Sequence, residues 1–346
     1  MTHSFRERVR ALRASHYLKK AGRLLEREKP RKRYLTPFDH DSMDDRFRIT
    51  IVAATEYFIP YQERLAMAWC FMGLSVSTAN SFENIPGEKE KAPHAIVVVG
   101  PHLFHNRKHR RRLANSLFVA VQTEQIPNLH QGGFHYAQHR LAWALYWAPQ
   151  YDLIFEWSRS TAAFLNRINI PALHVPHGFL AATPSDSGHV TPEKYDLLFL
   201  GSLSTLGGRR ARVIDRLSQM YTIHPATDGV WGEEKFRAMR ESKVLLNLQA
   251  EASMLFPSPR VFEALSMQCC LVSEPIADPY PFVAGVDYIE SPLALMARNL
   301  DVILNDENKR EQIAQQGHAT AKAHGLQISA QKMLNHIMHR HYLTSY

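Results

Sequence analysis

Short, wholly apolar runs alternating with helical segments constrain this chain more than any other feature. Residues 47–53, 95–99, 117–122 and 153–156 are built almost wholly from Val, Ile, Leu, Phe and Ala, and 74–78 and 172–175 add shorter extended stretches. Between them, 60–72 and 161–167 place apolar residues at helical spacing, and 107–116 and 141–147 read as further helices. A strand that is apolar on both faces must be covered on both, which a parallel sheet flanked by helices achieves. After a Pro-, Ser- and Thr-rich loop over 181–192 the pattern restarts. A strand at 195–200 and a turn into a helix over 207–220 are followed by an optional strand at 221–224 and a helix at 233–240. A strand–helix–strand unit over 242–274 comes next, then helices at 291–304, 308–323 and onward to Tyr342. The expected fold class is α/β, with two Rossmann-like domains. The expected divisions are a basic arm and linker over 1–45, domains over 46–180 and 181–325, and a C-terminal helix over 326–346.

Composition sets limits. The chain has 346 residues, 45% of them hydrophobic, enough for two domains of ordinary size. No run approaches the roughly 20 apolar residues that span a bilayer, and the polar, basic start has no apolar segment of signal-peptide type. Three cysteines (Cys70, Cys269, Cys270) give no disulfide framework, so a cytoplasmic setting is expected, with Cys269 and Cys270 as small buried residues. The net charge of +8 is uneven: residues 1–33 hold twelve Lys/Arg against three Glu. The run from Arg107 to Arg112 adds five Lys/Arg and His109. Two such patches on a balanced protein point to an anionic partner, a membrane surface or DNA. Residues 4–28 form a basic amphipathic pattern that fits an arm packed on the body, a membrane-surface helix or a nucleic-acid contact.

Residues 242–274 read SKVLLNLQAEASMLFPSPRVFEALSMQCCLVSE. An apolar strand runs into a polar turn, Pro257-Ser258-Pro259-Arg260 opens a short helix carrying Glu263, and a second strand ends in Ser273-Glu274. Proline at a helix start is pre-organised, and the unpaired N–H groups there attract phosphate. A carboxylate one turn further in can accept from two vicinal sugar hydroxyls. The alternative for Arg260 and Glu263 is an i, i+3 ion pair on an exposed helix. Asn247 is a plausible partner or an ordinary turn residue.

This order resembles the donor half of GT-B glycosyltransferases of the group 1 kind, in which a strand, a loop, an R-x-x-E-A-L helix and a V-V-S-E strand form the nucleotide-sugar pocket. Arg260, Phe262, Glu263, Ala264, Leu265, Val272, Ser273 and Glu274 carry the likeness. Two positions depart from it. Many members place a second Glu seven intervening residues before the helix Glu, where this chain has Leu255. They also end the helix with Gly, suited to a left-handed cap, where this chain has Gln268. The resemblance implies two Rossmann-like domains facing across a cleft and a metal-independent transfer with no cofactor beyond the nucleoside-diphosphate sugar. Its only metal-like triplet, Asp39-His40-Asp41, lies far from any expected strand end.

Further candidates follow the strand ends. Gly201-Ser202 and Gly207-Gly208-Arg209-Arg210 come after the strand YDLLFLG. Glycines let backbone approach a ligand, and the arginines can neutralise a departing diphosphate; a plain turn with surface arginines is the alternative. Thr123-Glu124-Gln125 follows LFVAVQ in the first half, and Glu124 is the candidate general base or acceptor-orienting group. His177, in LHVPHGF, sits where related enzymes turn between domains, and is a candidate to steady a phosphate or accept a proton near neutral pH. The expected function is transfer of a sugar from a nucleoside diphosphate to an acceptor glycan or glycoconjugate. The alternatives are a phage-type DNA glycosyltransferase acting on a hydroxymethylated base, and a non-catalytic nucleotide-sugar binder of the same fold.

Overall fold

A computed structural model describes residues 47–53, 55–87, 92–101, 113–123, 148–179, 192–203, 208–225, 230, 232–249 and 256–344. The expected helices at 4–28 and 141–147 lie outside them, as does 107–112 of the helix expected over 107–116, whose described residues 113–116 form a turn. The chain divides into two compact units, Met1–Pro176 with Leu326–Tyr346, and His177–Gly325.

The first unit is built on a six-stranded parallel sheet in the order β2-β1-β3-β4-β5-β6. Its strands are β1 (Arg48–Ala53), β2 (Ser75–Ala79), β3 (Ala95–Val99), β4 (Leu117–Gln122), β5 (Leu153–Glu156) and β6 (Leu173–His174). Strands β3 and β4 are buried along their whole length, as sequences apolar but for the terminal Gln122 require. At the edge, β2 reads SVSTA and is largely exposed. Helix α1 (Ile59–Phe71) starts with Pro60 in its first turn and buries Leu65 and Trp69 completely. Its Gln62 amide donates to the carbonyls of Ile51 (2.7 Å) and Ala79 (2.9 Å), tying two strand ends together. Helix α2 (Arg159–Arg167) is capped by Ser158, whose hydroxyl accepts from Thr161 N–H.

The second unit has a four-stranded parallel sheet, order β10-β9-β8-β7. The strands are β7 (Tyr195–Phe199), β8 (Ser242–Asn247), β9 (Cys270–Ser273) and β10 (Ile289–Glu290). Residues 221–224 contribute only a single bridge, Leu197 to Ile223, rather than the strand that was an option there. Around the sheet lie α3 (Arg209–Ser218), α4 (Gly232–Arg240), α5 (Ser258–Ser266), α6 (Met296–Leu304) and α7 (Glu307–Ala323). Gly317 of α7 has no room for a side chain: a Cβ would stand 2.4 Å from the Asp287 carbonyl oxygen and 2.8 Å from Leu265 Cδ2. The last helix, α8 (Leu326–Thr344), joins the first unit, where Trp69 Nε1 donates to the Ala330 carbonyl at 2.9 Å.

Helix α5 ends in a full Schellman motif. Cys269 N–H bonds Ala264 O (3.0 Å), Gln268 N–H bonds Leu265 O (3.1 Å), and Gln268 itself is left-handed at φ 56°. The motif forms without the glycine usual at this position, so the side chain bears a conformational cost. Gln268→Gly is therefore expected to stabilise the protein by roughly 0.5–1 kcal/mol, read as a raised urea midpoint. A midpoint at or below that of the wild type would refute the expectation.

Candidate functional site

The carboxyl ends of β7, β8 and β9 collect most of the polar residues singled out in the second half of the sequence. Asn247 and Ser273 are paired in register, and Asn247 Nδ2 donates to Ser273 Oγ at 2.8 Å. The Asn247 Oδ1 accepts from Arg260 Nη1 at 2.8 Å. The Arg260 guanidinium also lies 5.8 Å from the centroid of Phe199, the last residue of β7. Gly201 (φ +151°) makes room for it, since a Cβ there would come within 2.8 Å of Arg260 Nη2. Arg260 is thus planted by two strand-end residues, in space that Gly201 leaves open. The N-cap of α5, the helix that carries it, is Pro257, which has no side-chain acceptor to offer.

Arg209 and Arg210 open α3, and each donates to groups within the protein. Arg209 forms a two-pronged pair with Glu274, Nη1 to Oε2 at 2.8 Å and Nη2 to Oε1, and Nη1 also donates to Gln249 O at 2.9 Å. That pairing raises the Arg209 pKa. Glu274 accepts in addition from Gln249 N–H at 2.7 Å. Arg210 is 9% exposed, donates through Nε to Leu248 O (2.9 Å) and through Nη1 to Ser202 O (3.2 Å), and lies 5.5 Å from the Phe199 ring centroid. Both forks hold the strand-end loops, a role the sequence did not announce beside the expected grip on a diphosphate. Their charges still count. With Lys235, which donates to Glu263 Oε1 at 2.8 Å, the cations Arg209, Arg210, Lys235 and Arg260 outnumber the carboxylates Glu263 and Glu274 by two. Such an excess, near the strand ends and the amino end of α5, suits a dianionic ligand.

Residues 199–335 match a family model described as glycosyl transferase-like. Among solved structures, TarM superposes with a TM-score of 0.51 at 11% identity, covering 79% of this chain and 58% of TarM. Anabaena HepE, solved with UDP and glucose, gives 0.50 at 13% identity, covering 84% of this chain and 98% of HepE. At such identities the likeness is one of fold, and the fold is GT-B, as the sequence led one to expect. No curated protein matches the chain by sequence.

Within residues 199–335, Lys235 is the residue that sequence reasoning passed over. It is 8% exposed on α4, and its only clue was a charge on an otherwise ordinary helix. Glu263 thus shares its carboxylate with a buried lysine on another helix.

His177, the first residue of the second unit, is 2% exposed, with its ring 5.9 Å from that of Phe262. Its Nδ1 lies 3.2 Å from the Gly178 carbonyl. Burial, aided by the charge of Lys235 and opposed by that carbonyl, lowers its pKa to about 3. The ring is neutral at neutral pH, so the expected proton acceptor is replaced by a packed, uncharged imidazole. The folded pKa lies below the ordinary 6.5, so an unfolded chain takes up a proton that the folded one refuses. Stability is whole above pH 6.5 and is lost as pH falls toward about 3. His177→Gln, which cannot charge, is expected to show a flatter decline of the urea midpoint over that window; curves of equal slope would refute the assignment. Glu124 lies outside the described residues, one position beyond Thr123 at the carboxyl end of β4.

Proposed function

We propose that this protein transfers a sugar from a nucleoside diphosphate to an acceptor hydroxyl of a glycan or glycoconjugate. The observation that carries the reading is Arg260, held by Asn247 and Phe199 at the carboxyl ends of β7 and β8. In the transfer, the bond between the anomeric carbon and the diphosphate oxygen breaks, and the acceptor oxygen forms a new bond to that carbon. Negative charge then grows on the departing diphosphate. In this reading Arg260 and the amino end of α5 stabilise it, with side chains and a helix end supplying the positive field in a metal-independent transfer. Glu263, beside Lys235, is the acceptor for sugar or ribose hydroxyls. Arg209, Arg210 and Glu274 shape the loops around the ligand, and Glu124 is the proposed acceptor-side base. Exposed Cys70 is a free thiol, which suits a reducing, cytoplasmic setting. No helix among the described residues is long and apolar enough to cross a membrane.

A thermal-shift screen against UDP, GDP, dTDP and CMP, followed by turnover of the sugar of the best binder, tests the reading. UDP is the first to try, given HepE's complex with UDP and glucose. One nucleotide should raise the melting temperature selectively, and its sugar should be released or transferred. Binding without turnover on any acceptor would favour the non-catalytic binder, and no binding by folded protein would overturn the proposal.

A further inference from the structure

Glu263 spends only half of its carboxylate inside the protein. Oε1 accepts from Lys235 Nζ at 2.8 Å, while Oε2 takes no hydrogen bond among the described residues. The Glu263 side chain is 19% exposed, so Oε2 can meet a ligand; the Lys235 side chain, at 10%, is the more deeply set partner. Both residues come from helices packed into one apolar cluster, which holds Ala238 and Met239 of α4 with Phe262 and Leu265 of α5. A plain tie between those helices has no need of charge, because apolar residues of similar volume in place of a buried ion pair stabilise about as well. The neighbour on α5 supplies a reason for it. Arg260 stands one turn before Glu263, and residues three apart on a helix have Cβ atoms about 5–6 Å from each other. With a diphosphate on Arg260, an unbalanced carboxylate at 263 would stand close to a ligand of its own sign and repel it.

We propose that Lys235 is a positioning residue for the donor. Its ammonium balances the charge of Glu263 and fixes Oε1, so that Oε2 accepts from ligand hydroxyls without repelling the phosphates beside them. The inference rests on the transfer reading, which puts phosphate at Arg260 and hydroxyls at Glu263. Lys235 acts through Glu263 rather than on the ligand. The pair therefore lets one site read hydroxyl groups and phosphate together, which a lone carboxylate beside a diphosphate does poorly.

The test is isothermal titration of the full chain with UDP, UMP and uridine, and with GDP, GMP and guanosine beside them, at low ionic strength where charge is least screened. The quantity read is the affinity for each phosphorylated ligand relative to its nucleoside. Lys235→Met leaves Glu263 unbalanced, and this ratio should fall by about tenfold for each phosphate group. Glu263→Gln leaves Lys235 unbalanced, and the ratio should rise. Its amide oxygen can still accept from Lys235 Nζ, so this variant keeps the fold and decides the matter even where Lys235→Met does not fold. Weaker hydroxyl contacts affect all ligands of a series alike and cancel in the ratio. Lys235→Met combined with Glu263→Gln changes no net charge and should return the wild-type ratio. A pair that only ties two helices would weaken all the ligands together. Ratios unchanged in the single variants, or moved in the same direction by both, therefore overturn this inference and leave the transfer reading standing. A folded wild type that binds none of the six ligands overturns the transfer reading and this inference with it.

Discussion

Arg260→Ala abolishes the rise in melting temperature that the best nucleoside diphosphate gives the wild-type protein, and lowers transfer by about 10²–10³-fold. The size of the effect follows from how the guanidinium is held. Asn247 is fully buried and fixes Nη1 at 2.8 Å, Phe199 supports the cation from below, and Gly201 leaves the space the group fills. A cation pre-positioned in this way reorganises little when charge develops on the leaving group, whereas a water in its place must reorient. Arg260→Lys keeps the charge but loses the planar fork, so partial recovery is expected. The ligand-free melting temperature separates site from scaffold: Asn247 keeps its bond to Ser273 in the variant, so the protein stays folded while ligand response disappears. An Arg260→Ala protein that still responds fully to nucleotide would remove the central support for the transfer reading.

The sequence showed the strands plainly because their burial is two-sided: 95–99 and 117–122 have no polar face to conceal. The helix at 258–266 was equally readable, with proline at its start and the R-x-x-E-A-L pattern inside it. Short elements were not. Ile289–Glu290 is too brief to show any period, and 221–224 carried strand-forming residues but gained only one bridge. Within the site, the sequence named residue types but not partners. Glu263 and Lys235 are 28 positions apart on separate helices, and Arg209 and Glu274 are 65 apart. Local spacing suggested that Arg260 and Glu263 belong to one another, yet Arg260 is planted by a strand-end amide and Glu263 by a lysine from α4. The burial of His177 had no signal in LHVPHGF, because it arises from the packing of Phe262 in a distant stretch of chain.

Breaking the Arg209–Glu274 pair from one side gives the largest expected loss of stability, about 3 kcal/mol for Arg209→Met. Glu274 is 5% exposed, and without Arg209 its carboxylate keeps the Gln249 N–H but loses both prongs of its counter-ion. Arg209 is the more exposed partner, at 22% of its side chain, so water reaches the site and holds the cost toward the lower end for a buried pair. Glu274→Met alone strands the arginine, which can turn to solvent, and should cost less. Both changes together remove the charge that either single variant leaves behind, and the double variant should regain much of the loss. Urea midpoints of the four proteins give the coupling directly, with at least about 1 kcal/mol expected. Additive costs would mean that the two side chains do not act as a pair. The same cycle reports on ligand binding, since Gln249 accepts from Arg209 through its carbonyl and donates to Glu274 through its N–H. Loss of the pair loosens the turn that follows Asn247, so nucleotide affinity should fall in the single variants even though neither residue is assigned a contact with the diphosphate.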